Sequence, residues 1–149
     1  MQRFTALVLA LGATLALAAP VAAARPDRFF SGDLEDFTLD GVCAAPVLLH
    51  VTVNREYYTV TTDRTGAEAF TLVSGTLFVT VTNLDTGASV DLNASGPGRF
   101  EGDSVTAYGA YLGWHDGETG SLTLFHGMRD FNTFEGSGVA TPICPLIGA

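Results

Sequence analysis

The sequence predicts an all-β domain, an antiparallel meander of about eight strands closed as a barrel, with a β-sandwich as the alternative and a signal-peptide helix in front. Three observations lead there. Short runs of Val, Thr, Leu and Phe alternate with polar residues at period two. Gly, Asp and Asn punctuate these runs, and no helix-period apolar stretch follows residue 24. The only two cysteines, Cys43 and Cys144, bracket the alternating region.

Taken in order, the first 24 residues have the three parts of a secretory signal: one cation at Arg3, an uncharged Leu- and Ala-rich run from Phe4, and the small-residue exit Ala22-Ala23-Ala24. The competing reading is a permanent transmembrane helix. Pro20 and the absence of a strongly basic stop-transfer flank weigh against it. No cysteine lies near the cleavage point to carry a lipid. The expectation is therefore a signal peptide over 1–24 and a single secreted β domain over 25–149, with no stable membrane insertion after cleavage.

A polar lead, Arg25-Pro26-Asp27-Arg28, precedes a first short strand at Phe37–Asp40. Val47, Leu49, Val51 and Val53 form an apolar stripe, and the same period-two reading applies to 57–63, 67–73, 76–83, 89–95, 100–114, 121–130 and 134–141. The turns Asp63-Arg64-Thr65-Gly66 and Leu84-Asp85-Thr86-Gly87 place Gly where a tight hairpin needs positive φ, and Gly96-Pro97-Gly98 cannot continue a ladder. Ser74-Gly75 interrupts a strand pattern and reads as a bulge or sharp bend. An open sheet of this size would leave two raw edges, whereas closure removes them.

In an oxidising compartment two cysteines pair, and without a Cys-x-x-Cys there is neither a zinc knuckle nor a thioredoxin-type redox site. A Cys43–Cys144 disulfide closes a loop of about 100 residues, worth roughly 4–5 kcal/mol in the chain-entropy model. It also draws the first and last strands together, as barrel closure requires.

Charge excludes whole classes of partner. The chain holds seven cations, all arginine, against sixteen acids, a formal net charge of −9. It can displace few counterions from nucleic acid, and it has no polybasic membrane-binding patch.

The block from Gly75 to Asn83, then Asp85-Thr86-Gly87, then Asp91-Leu92-Asn93-Ala94-Ser95-Gly96-Pro97-Gly98, resembles a segment of small, uncharacterised secreted β-rich proteins of actinobacteria. The resemblance runs from about Phe37 to Cys144 and implies export and a β fold. It brings no activity and no catalytic residues. The segment 113–130 departs from that pattern, being richer in His, Asp and Glu.

Individual constellations are weak. Gly102-Asp103-Ser104 resembles the opening of a serine esterase family, but neither His115 nor His126 has the Asp three residues before it that would complete the machinery. His115, Asp116 and Glu118 could ligate a metal, yet no metal-loop spacing is spelled and an acidic turn accounts for them equally well. Tyr57, Tyr58, Tyr108, Tyr111 and Trp114 could present a sugar-stacking face; they are also ordinary strand formers. Asn93-Ala94-Ser95 is a glycosylation sequon, incidental in a bacterium. No catalytic residue, metal ligand or cofactor site is assigned.

Two functions remain. One is a secreted non-catalytic binding or structural module of unknown small-molecule or extracellular partner. The other is a small-molecule barrel, an isomerase, cyclase or hydrolase, whose lumen would bring together His126, Tyr108 and Tyr111. The second needs an internal cavity of about 300 Å³ or more into which those three side chains point.

Overall fold

The computed structural model describes residues 26–149. The signal-peptide expectation for 1–24 lies outside the described residues. Among them no helix is long and apolar enough to cross a membrane.

The domain is all-β, as the alternation predicts: nine antiparallel strands in one sheet, without an α-helix among the described residues. The strands are β1 (Asp27–Phe30), β2 (Phe37–Leu39), β3 (Val47–Thr62), β4 (Glu68–Asn83), β5 (Ser89–Asn93), β6 (Gly98–Glu101), β7 (Ser104–Gly113), β8 (Thr123–Asp130) and β9 (Val139–Pro142). A 3-10 turn at Cys144–Ile147 follows.

Several boundaries differ from the sequence reading. The segments expected as 47–54 and 57–63 merge into β3, and those expected at 67–73 and 76–83 merge into β4. Ser74-Gly75 is no bulge, because the β3–β4 register runs through it unbroken. The bulge lies instead at Thr52, where the pairing steps from Val51↔Val79 to Val53↔Phe78. Gly75 has φ +148°, and a Cβ there would stand 2.1 Å from the Arg55 carbonyl oxygen, so Gly permits the close approach of the two strands. The expected long strand 100–114 is split by a turn at Gly102-Asp103 into β6 and β7. β1, which begins within the expected polar lead 25–28 and runs on through Phe29 and Phe30, pairs with residues 57–60 of β3.

The barrel expectation is corrected. The main strand path runs β1-β3-β4-β6-β7-β8-β9 and leaves β1 and β9 unpaired with each other. The reason is where each edge strand lies. β1 borders the far half of β3 while β2 takes the near half, at residues 47–49. β4 likewise has two partners along one side, β5 at residues 78–82 and β6 at 71–73. Each long strand thus shares one side between two short partners, and the sheet stays open, with β1 and β9 unpaired with each other.

The Cys43–Cys144 disulfide is formed, with Cα atoms 5.5 Å apart across 101 positions. It ties the chain ends where the ladder does not. Around it the sheet curls so that strands distant in the ladder share one core: Val47 and Leu49 of β3, Val79 and Val81 of β4 and Leu92 of β5 pack with Leu122, Leu124 and Ile143. Asn83 is the buried polar residue of this core. Its Nδ2 donates to the carbonyls of Ile147 and Gly148, and its Oδ1 accepts from the amides of Asp85 and Thr86, so both ends of its amide are satisfied.

Candidate functional site

Beside that core the curled sheet leaves a cavity of about 290 Å³. Its walls come from both sides of the curl: Leu49, Val51 and Glu56 on β3, Val73, Leu77 and Val79 on β4, and Val105, Ala107 and Tyr111 on β7. Leu34, Phe37, Phe100 and Phe131 line it while remaining between 39% and 45% exposed, so they form a mouth open to solvent.

The bulge at Thr52 decides what faces inward. Successive strand residues alternate faces, and one extra residue inverts the alternation. Odd-numbered Leu49 and Val51 line the cavity before the bulge; after it, even-numbered Glu56 does. The wall of β4, which has no bulge there, stays odd-numbered throughout. A carboxyl is thereby carried into a wall that the valine stripe would have kept apolar.

Burial raises the Glu56 carboxyl above its ordinary pKa, and among the described residues no partner charge or hydrogen bond offsets it. Its own amide is held by Asn54 Oδ1 at 3.1 Å. Directly across the ladder stands Gly75, which presents no side chain to it.

The mouth is crossed by the segment 31–36, stapled to β3 at both ends. Asn54 Nδ2 donates to Ser31 Oγ at 3.0 Å and to the Gly32 carbonyl at 2.7 Å. Asp36 accepts from the Val51 amide at 3.1 Å and pairs with His50 Nδ1 at 2.7 Å. The His50 hydrogen bond is the chief reason the Asp36 carboxyl lies below its ordinary pKa. These bonds set Leu34 and Phe37 at the cavity rim, where Phe37 approaches Trp114 with ring centroids 6.0 Å apart.

Of the three residues proposed for a lumen site, Tyr111 lies in the cavity wall, buried and stacked on Phe125 at 5.0 Å. Its hydroxyl has no hydrogen-bond partner among the described residues, and burial raises its pKa. Tyr108 is 37% exposed, His126 is exposed, and neither lines the cavity. His126 is paired with Ala110, one position along from the Tyr111↔Phe125 pair, so strand alternation sends it to the other face. The structure does not bring the three together.

The remaining candidates are also dispersed. Arg28 lies over the Tyr57 ring at 4.1 Å, Tyr58 is exposed, and Trp114 Nε1 donates to Asp116, so the five aromatics form no common platform. The His115 ring packs at a tilt against Phe134, centroids 4.5 Å apart, and its carbonyl accepts from the Glu118 amide within the turn. Among the described residues no group of three or more His, Cys, Asp or Glu side chains is placed to hold a metal ion. Ser104 is exposed beside the β6–β7 turn. Cys43 and Cys144 stand apart from the cavity as the disulfide of the core.

Sequence reasoning missed Glu56. It falls between two expected strands, and its face depends on a bulge with no glycine to mark it. The signal available was the break itself: Asn54-Arg55-Glu56 is a polar interruption between two apolar stripes, which a continuous strand must point somewhere. Comparison with family models, with characterised proteins and with solved structures finds no match to this chain.

Proposed function

We propose that the protein is an exported, non-catalytic module that binds a small apolar molecule in the cavity between β3–β4 and β7. One observation carries the reading: an open cavity of about 290 Å³ whose lining side chains are apolar except for Glu56 and the Tyr111 phenol. That volume is close to the lower end of the roughly 300–1,000 Å³ typical of small-molecule sites. A filled protein interior leaves few voids larger than a water molecule, so a space this large and this apolar is matched to a ligand rather than to packing.

Export is supported by the signal-like N-terminus and is compatible with the disulfide. The lumen-enzyme reading has less support, because Tyr111 enters the wall without Tyr108 or His126. An apolar tail of about eight methylenes would gain about 6 kcal/mol gross from burial, before the cost of association.

The test is titration with N-phenyl-1-naphthylamine, an uncharged apolar fluorophore. Saturable one-to-one binding with a blue-shifted emission is expected, and filling the cavity by Ala107→Phe should weaken it at least about tenfold. At a hundred times its dissociation constant the probe should add about 2.7 kcal/mol of stability. Unsaturable binding, or binding indifferent to Ala107→Phe, would overturn the reading.

A further inference from the structure

We propose that the cavity's ligand is a hydrophobic cation, an amine or quaternary ammonium on an apolar tail, with the Glu56 carboxylate as its counter-ion. The inference rests on the small-molecule reading above and adds the chemistry of the head group.

Among the described residues, Glu56 is the sole carboxylate in the cavity wall, and the only other ionisable side chain there is Tyr111. The cations nearby in the fold are otherwise engaged or turned away. Arg55 is exposed and, as the adjacent strand residue, points to the opposite face. Arg28 lies over Tyr57. Arg99 pairs with Glu101 at 3.0 Å and lies over the Phe70 ring at 4.0 Å. The Glu56 charge thus has no partner of its own among the described residues, which is why desolvation alone governs it.

The space around it suits a cationic head. Val73 and Leu77, which flank Gly75 on the opposite strand, line the cavity on either side of Glu56. Phe37, Phe100 and Trp114 supply aromatic rings along the same cavity, and such faces attract cations. An anionic ligand would bring a second negative charge to an uncompensated carboxylate in an apolar setting, and a neutral ligand would leave that carboxylate desolvated and unpaired. A cation relieves both penalties at once.

Three probes with the same ten-carbon tail separate the head group from the tail: decylamine, 1-decanol and decanoate, titrated by calorimetry at pH 7 below their aggregation concentrations. Decylamine should bind at least about tenfold more tightly than decanol, since a charge-assisted bond replaces a neutral one, and decanoate should bind weakest. Glu56→Gln should bring decylamine to within about twofold of decanol, and decanol itself should bind the variant no more weakly than the original protein, because no carboxylate is left to desolvate. This variant also separates the site from the general attraction of an acidic protein for cations, because it alters only one charge among sixteen acids.

If decanol binds as tightly as decylamine, or if Glu56→Gln leaves the preference intact, the cation assignment is overturned and the apolar-ligand reading stands. If none of the three binds, both are overturned. In that event, a chain that sediments as a dimer would give the apolar mouth to a second copy.

Discussion

The two halves of the long β3–β4 hairpin are built from the same kinds of residue and end up in different physical situations. At the disulfide end, Val47, Leu49, Val79 and Val81 are each no more than 5% exposed, because the curled sheet lays Leu122, Leu124 and Ile143 over them. Beyond the bulge, from Val53 to Thr62 and from Glu68 to Phe78, no side chain is fully buried. That arm is flanked by β1 and β6 and decorated by the Arg28–Tyr57 and Arg99–Phe70 stacks. β-forming sequence is thus enough to make a ladder, but a second layer is needed to make a core, and the cavity opens where the second layer runs out.

The sharpest way to break this contrast is to remove the disulfide. Cys43→Ser with Cys144→Ser should destabilise the protein by about 4–5 kcal/mol, read from urea unfolding. Next in size, Leu122→Ala should cost about 3–4 kcal/mol, since its side chain is wholly buried in the shared core. Leu72→Ala, in the half-buried arm, should cost less than about 1.5 kcal/mol in the same assay. Equal losses at the two positions would mean that the arm carries a second layer of its own. Asn83→Ala should cost about 2–3 kcal/mol by leaving the Ile147 and Gly148 carbonyls and the Asp85 and Thr86 amides without their partner. It should also speed amide exchange in the C-terminal turn.

The smallest effect concerns pH. Glu56 has a folded pKa above its unfolded one, so its contribution to stability is fully present below the unfolded value and is lost as pH rises through the folded value. Glu56→Gln should therefore raise the melting temperature at pH 7 and leave it unchanged near pH 3.5. Asp36 has the opposite sign: its pKa is depressed by His50, so its contribution is present above the unfolded value and fades as pH falls through the folded one. Asp36→Asn should lower the melting temperature slightly at pH 6, and that difference should shrink below pH 3.

Period-two alternation made the strands legible in sequence, and an even cysteine count made the disulfide so, because both are local or compositional signals. What resisted reading was set by register. Thr52 looks like any outward-facing strand threonine, yet the unpaired residue at that point turns Glu56 inward. The open sheet was equally hidden, since the way β1 and β2 divide the edge of β3 between residues 57–60 and 47–49 is a choice of pairing that alternation does not spell. Tyr111 was reached through the expected pairing of β7 with β8, which is observed, while His126, from the same argument, lies on the other face.

The disulfide also changes what a protease can accomplish. Residues 43 to 144 form a covalent ring that contains every strand from β3 to β9. A cut at the exposed turn 63–67, at the far tip of the arm, would leave two pieces still joined through sulfur and still sharing the closed core. In the uncut ring, exopeptidases meet the residues before Cys43 and after Cys144 first. The clipped protein would migrate as one species without reductant and as two with it, and a population worn down in this way would remain folded and countable as whole molecules.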